Sequence, residues 1–214
     1  MAKENRPSNK ENFSPKRSGK RGEKYGEYGK VYKNPRKGKK SPASLPKPGE
    51  KRLFVATPVE LPFYLQIKRA LSPLLKGKWV EGFNLHLTHL FIGNDKPEEW
   101  KIRLPKPEGE IATGKIGILG NRILYLEALH PQISQIYQKL IGEKGERINP
   151  QILNRPFRPH ITLARLKTPP TPQLLRKIEE LNSSLPSIKF PFQVYLYSST
   201  LTPKGPIYKK EWEM

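Results

Sequence analysis

Two stretches decide the fold: Leu85-His86-Leu87-Thr88-His89-Leu90-Phe91-Ile92-Gly93 and Arg158-Pro159-His160-Ile161-Thr162-Leu163-Ala164-Arg165. Each carries His-x-Thr inside an apolar run, and such a run reads as a β-strand. Side chains i and i+2 of a strand share one face. Each copy therefore sets an imidazole beside a hydroxyl and turns Leu87 or Ile161 the other way. The chain has only four histidines, His86, His89, His130 and His160, and two of them carry threonine at the second following position. Ordinary strand histidines with satisfied ring nitrogens would explain one copy, but not the repetition. If both strands face one cleft, they supply two proton-transfer groups and two hydroxyl donors. Neutral imidazole accepts a proton and imidazolium donates one, both near neutral pH. The pair suits phosphodiester hydrolysis, in which one group activates water and the other protonates the leaving oxygen.

Outward from these strands the patterns alternate. Arg52-Leu53-Phe54-Val55-Ala56 reads as a short buried strand. Ile67, Ala70, Leu71, Leu74 and Leu75 recur at the spacing of one amphipathic helix, ended by Gly77. The first motif strand covers residues 84–92 and closes in a Gly93-Asn94-Asp95 turn. Residues 111–119 and 122–129 pair as a hairpin around Gly120-Asn121. A second helix starts near Pro131, carries Ile133, Ile136, Tyr137, Leu140 and Ile141, and stops at Gly142 or Gly145. The second motif strand covers 157–166. Thr171-Pro172 caps a third helix with Leu174, Leu175, Ile178 and Leu181, which breaks at Asn182-Ser183-Ser184. Residues 190–201 form a last strand, and Thr202-Pro203-Lys204-Gly205 turns the chain towards Tyr208. Helix followed by motif strand occurs twice, which predicts a degenerate duplication: two similar lobes with a cleft between them.

Composition divides the chain near residue 50. Residues 1–50 hold fifteen Lys or Arg against five Glu and hardly any aliphatic side chains, too little apolar surface to offset ordering entropy. The expectation is a disordered basic tail over 1–50 and one compact unit over 51–214. Of the formal net charge of +21, the tail supplies +10 and the remainder +11, so an anionic partner is expected from both, nucleic acid first. No amphipathic basic helix, lipidation signal, apolar span or signal peptide is present to favour a membrane. The expected location is the cytoplasm. With no cysteine, disulfides and thiolate chemistry are excluded. Neither half has a Gly-rich phosphate loop, and no Gly-x-Ser-x-Gly elbow or His-Glu-x-x-His pattern occurs. His86 and His89 have no nearby Cys and the next carboxylate after them is Asp95, beyond the turn, so no metal or other cofactor is expected.

The two quoted stretches resemble the paired strands of the two-histidine phosphoesterase superfamily. Within it the chain is similar to the RNA 2',3'-cyclic phosphodiesterase family, also called the bacterial and archaeal 2'-5' RNA ligases. Supporting matches are Arg52-Leu53-Phe54-Val55-Ala56, Trp79-Val80, and Ser199-Thr200-Leu201-Thr202-Pro203 followed by Gly205 and Tyr208. The likeness runs from Arg52 to the C-terminus. It implies a bilobal α+β fold, two pseudo-symmetric lobes with antiparallel sheets flanked by helices around a central cleft. It also implies opening of a 2',3'-cyclic phosphate to a 2'-phosphate without a required metal. On this sequence His86 would protonate the departing 3' oxygen, His160 would activate water, and Thr88 and Thr162 would bind non-bridging phosphate oxygens. The implied partner is RNA with 2',3'-cyclic phosphate ends, tRNA fragments among the candidates, with no obligate protein partner.

Arg158 and Arg165 flank the second motif as candidate substrate-binding residues, since a guanidinium can hold phosphate bidentately. For a regular strand, however, Arg165 leaves the face opposite to His160. His89 stands where the family usually has an aliphatic residue and would point with Leu87 and Phe91, away from the cleft, as a structural histidine. His130 also reads as structural. Tyr25, Tyr28 and Tyr32 could stack on bases or be incidental to a solvated run. Two alternatives to hydrolysis stand beside it: 2'-5' joining of RNA ends by the same site, and a non-catalytic basic RNA-binding protein.

Overall fold

Residues 45–203 and 205–214 are described by the computed structural model. The predicted tail, with Tyr25, Tyr28 and Tyr32, lies outside the described residues apart from 45–50. In chain order the elements are β1 (Lys51–Pro58), α1 (Tyr64–Leu71), β2 (Gly77–Trp79), β3 (His86–Asp95), β4 (Glu110–Leu119), β5 (Ile123–Leu129), α2 (Gln132–Lys144), α3 (Pro150–Leu153), β6 (His160–Leu166), α4 (Pro172–Ser184), β7 (Lys189–Pro191), β8 (Tyr195–Thr202) and β9 (Gly205–Glu213). The fold is α+β. The strands follow the order β7-β4-β5-β6-β3-β1-β8-β9, with β2 added to β6, and every pairing is antiparallel.

Two halves meet in the middle of this sheet. On one side β1, α1 and β3 give strand, helix and motif strand, and on the other β5, α2 and β6 repeat the arrangement. The seam between β3 and β6 has a register of one pair, Leu87 with Ile161. Alternation along β1 sorts the two faces. Leu53 and Val55 enter the main core with Ile67 and Leu71 of α1, Ile133, Ile136 and Leu140 of α2, and Leu174 and Ile178 of α4. Phe54 and Ala56 turn to the opposite face, beside Tyr197 and Tyr208. The helices thus cover one face of the sheet and leave the other for the cleft.

Several elements match their sequence signals. The Thr171 hydroxyl accepts from the Leu174 amide at 3.2 Å and caps α4. Gly120 and Asn121 both take positive φ, 56° and 58°, as a two-residue hairpin turn between twisted strands requires. Other boundaries differ. The first helix ends at Leu71, because Pro73 has no amide to donate to the Arg69 carbonyl. Ser72–Leu74 tighten into a 3₁₀ turn, and Leu75 is already extended. Gly77 therefore does not end a helix but opens β2. The expected Gly93-Asn94-Asp95 turn is strand, since Asp95 pairs with Lys51 and Gly93, at φ 96°, continues the ladder. The predicted last strand is two short ones, β7 and β8, and β9 follows as an edge strand where the sequence pattern predicts only a turn and a tail. Among the described residues no helix is long and apolar enough to cross a membrane.

Candidate active site

With Leu87 opposite Ile161, antiparallel geometry sets His86 across from Thr162 and Thr88 across from His160, all on the face turned from the core. Leu87 and Ile161 are fully buried on the helix side. The two imidazoles are held alike. His86 Nδ1 bonds the Asn84 carbonyl at 2.7 Å, and His160 Nδ1 bonds the Arg158 carbonyl at 2.7 Å. A carbonyl only accepts, so each Nδ1 carries a hydrogen, and Nε2 is the nitrogen free to exchange a proton. His86 packs against the ring of Phe54, 5.1 Å between centroids, and meets Tyr208 edge-on at 5.3 Å. His160 meets Tyr125 edge-on at 5.7 Å.

Burial lowers the His86 pKa from its ordinary value, and the charges of His160 and Arg165 lower it further, against the Asn84 carbonyl, which favours the charged form. Both motif histidines and Arg165 therefore share one electrostatic field. Burial raises the Tyr208 hydroxyl, with Arg165 and Arg52 opposing, so it stays protonated at neutral pH.

Both motif strands carry a β-bulge one residue after the threonine. On β3, Thr88 pairs with Ala56 and Leu90 with Val55, so His89 is the extra residue. On β6, Thr162 pairs with Tyr125 and Ala164 with Leu124, so Leu163 is the extra residue. A bulge shifts the alternation by one. His89 and Leu90 both turn into the core, as do Leu163 and Ala164. Phe91 and Arg165 then return to the cleft face. This corrects the regular-strand expectation that Arg165 and Phe91 face away from the histidines.

A cleft of about 890 Å³ opens on this face and runs past His86, Thr88, Thr162 and Arg165, whereas His160 stands beyond its lining, on the strand that carries Thr162. Its described lining includes the cations Arg52, Lys78 and Arg165 and a single carboxylate, Glu81, a balance that favours an anionic ligand. Arg52 lies over the Phe91 ring at 4.7 Å. Lys78 arrives on β2, paired with Arg165. A Cβ at Gly77 would stand 2.5 Å from the Arg165 carbonyl oxygen, so glycine is what lets β2 close on β6. Sequence patterns alone do not mark Arg52, Lys78 or Phe91 as site residues. Alternation along β1 could have signalled Arg52, but nothing local marks the bulges or the pairing of β2.

The remaining expectations separate. Arg158 is exposed, does not line the cleft, and serves His160 through its carbonyl rather than its guanidinium. His89 is buried, with Nε2 at 2.8 Å from the Thr57 hydroxyl and its ring stacked on Phe192. His130 accepts from the Gln132 amide at the start of α2. Among the described residues no three His, Cys, Asp or Glu side chains converge as a metal site would require.

Comparison with known proteins is consistent in kind. A family model described as LigT-like phosphoesterase matches residues 126–208. An RNA 2',3'-cyclic phosphodiesterase of Methanocaldococcus jannaschii is 31% identical over 150 residues, spanning 64% of this chain and 86% of that protein. One of Thermotoga maritima is 28% identical over 180 residues, spanning 76% and 94%. Among solved structures, a Thermus thermophilus protein is 28% identical with a TM-score of 0.51, covering 76% of this chain and 96% of its own. Escherichia coli LigT, crystallised with 3'-AMP, shares the fold at 23% identity with a TM-score of 0.57, covering 77% and 97%.

Proposed function

From the premise that this chain belongs to the LigT-like phosphoesterase family, we propose that it hydrolyses RNA 2',3'-cyclic phosphate ends to 2'-phosphomonoesters. The observation that carries this reading is the Leu87–Ile161 pair, which turns His86, Thr88, His160 and Thr162 to one face of the seam. His160 Nε2 takes a proton from water as the water oxygen bonds to phosphorus. The bond from phosphorus to the 3' oxygen breaks, and His86 Nε2–H gives its proton to that oxygen. Proton count balances, because one is taken and one returned, and the pair is reset through solvent.

The remaining groups act on charge. Thr88 and Thr162 hydroxyls donate to the non-bridging oxygens, where negative charge accumulates in the transition state. Arg165 holds the same oxygens electrostatically and, in the free enzyme, disfavours the proton on His86. A bound phosphate anion offsets the charges of Arg165 and His160 and so favours the proton on His86, against the burial that is the larger cause of its lowered pKa. The aromatic walls supplied by Phe54 and Tyr208 around His86 thin the solvent beside the leaving oxygen.

The test is direct. An oligoribonucleotide with a 2',3'-cyclic end is incubated with purified protein and the product phosphate is located. A 2'-phosphate, abolished by His86→Ala and by His160→Ala, is the expected result. An unaltered end, or a 3'-phosphate, would defeat the reading.

A further inference from the structure

A second hollow, of about 450 Å³, lies against the cleft and shares with it the wall formed by Phe54, Phe83, Asn84, His86, Ile207 and Tyr208. Its volume falls within the roughly 300 to 1,000 Å³ of small-molecule sites. Proton transfer at a cyclic phosphate needs no second apolar hollow beside His86.

Phe83 is 87% exposed and Ile207 61% exposed, and both border the cleft and the hollow alike. Phe83 is not on a loose segment. It sits in the 3₁₀ turn Gly82–Asn84, where the Leu85 amide bonds the Gly82 carbonyl and the Asn84 side-chain amide donates to the Pro206 carbonyl at 3.0 Å. An aromatic ring on a fixed turn, solvated on its outer side, is a platform on which a flat heterocycle can stack. Charge points the same way. The ionisable side chains lining the hollow are His86, Tyr197, Tyr208 and Lys210, with no carboxylate among them.

We propose that this hollow is a subsite for the second nucleotide of the RNA strand, with its base on Phe83 and Ile207 and its linking phosphate towards Lys210. A 2',3'-cyclic phosphate closes the 3' end of its strand, so the only neighbouring nucleotide lies on the 5' side. The hollow shares His86 with the cleft and is an adjoining space of a size to take that neighbour. The proposal rests on the reading of the cleft as a site for cyclic phosphate ends, and it makes the protein an enzyme that prefers oligonucleotides to cyclic mononucleotides.

Steady-state kcat/KM is compared for a cyclic mononucleotide and for a dinucleotide carrying the same 2',3'-cyclic end. The intact protein is expected to favour the dinucleotide. Phe83→Ala should cut that preference about tenfold, within the roughly 5- to 150-fold that one stacked base is worth. Phe83→Trp should keep it, and Lys210→Gln should reduce it at low salt more than at high salt. Equal kcat/KM for the two substrates in the intact protein, or a preference untouched by Phe83→Ala, overturns the subsite while leaving the cleft reading intact. Should neither substrate be hydrolysed, the cleft reading fails separately. The subsite is then decided by equilibrium binding of a dinucleotide 2'-phosphate against a mononucleoside 2'-phosphate, which Phe83→Ala must weaken unequally.

Discussion

Leu87 and Ile161 are Cα partners across the seam of β3 and β6, and both are fully buried. The spacing of the two candidate catalytic strands is thereby tied to the core. A slip of one residue in either strand would turn its imidazole and hydroxyl inward and its apolar residue outward. Each such side chain contributes about 1.5 to 3 kcal/mol by its burial, so the register that serves chemistry is also the one the core selects.

His86→Ala and His160→Ala should each lower kcat by roughly 10² to 10⁴, the usual cost of removing one acid or base. Thr88→Ala and Thr162→Ala should lose about 10- to 100-fold, since each removes one hydrogen bond to a charged oxygen and no proton transfer. Initial rates on a cyclic nucleotide, with circular dichroism to check folding, decide this. Near wild-type turnover in either histidine variant would remove it from the mechanism.

The pH profile of kcat/KM should be a bell belonging to the coupled pair. Arg165 lowers the His86 pKa, after burial and alongside His160. Arg165→Gln should therefore raise it. With His86 as the acid, required protonated, the alkaline limb should move to higher pH while overall activity drops. Movement of the acid limb instead would exchange the roles of the two histidines.

Acid stability should carry the mark of His89. Burial lowers its pKa from 6.5 to about 3. Between those values the unfolded chain binds a proton that the folded chain does not, so stability falls as pH falls from about 6.5 towards about 3. His89→Leu should flatten the dependence by as much as one proton, about 1.4 kcal/mol per pH unit, although it leaves the buried Thr57 hydroxyl without its partner. Urea unfolding at several pH values between 6 and 4 measures the slope. An unchanged slope would mean that His89 is not the proton acceptor exposed by unfolding.

Removing residues 1–50, which carry a net charge of +10, should leave hydrolysis of a small cyclic nucleotide nearly unchanged and weaken the binding of long RNA. For every phosphate of a single strand that the shortened protein no longer neutralises, the slope of log K against log salt should fall by about 0.7. Titrations of full-length and shortened protein should diverge at low salt and converge at high salt. Identical affinities throughout would show that the basic run does not engage RNA.

The paired motif strands, α2 and α4 were legible because their periodicity is local: Ile133, Ile136, Tyr137 and Leu140 sit on the buried side of α2 as their spacing implies. The bulges were not. Whether Leu163 is the extra residue of β6 is decided by how Tyr125 and Leu124 pair with it, and no pattern within residues 160–166 states that. Strand β9 escapes a sequence reading because an edge strand with Lys209, Lys210, Glu211 and Glu213 has little apolar alternation to show. The three residues of β2 are strand only by virtue of their partner β6. The motif residues, and Arg165 as a flank, could be named in advance, whereas Arg52, Lys78 and Phe91, delivered by strand pairing and register, could not.

The matched bulges put unlike groups at matching places of two similar halves. At corresponding places, three residues after each threonine, one half presents the benzene ring of Phe91 and the other the guanidinium of Arg165. A pair of identical imidazoles in identical settings would have no reason to divide the labour of giving and taking a proton. A division of that kind has a source in the chain itself: a repeated scaffold that carries unlike side chains at matching places, with Phe54 and Tyr208 beside one imidazole and Tyr125 beside the other, much as two like subunits of a dimer become unlike once side chains at their interface are exchanged.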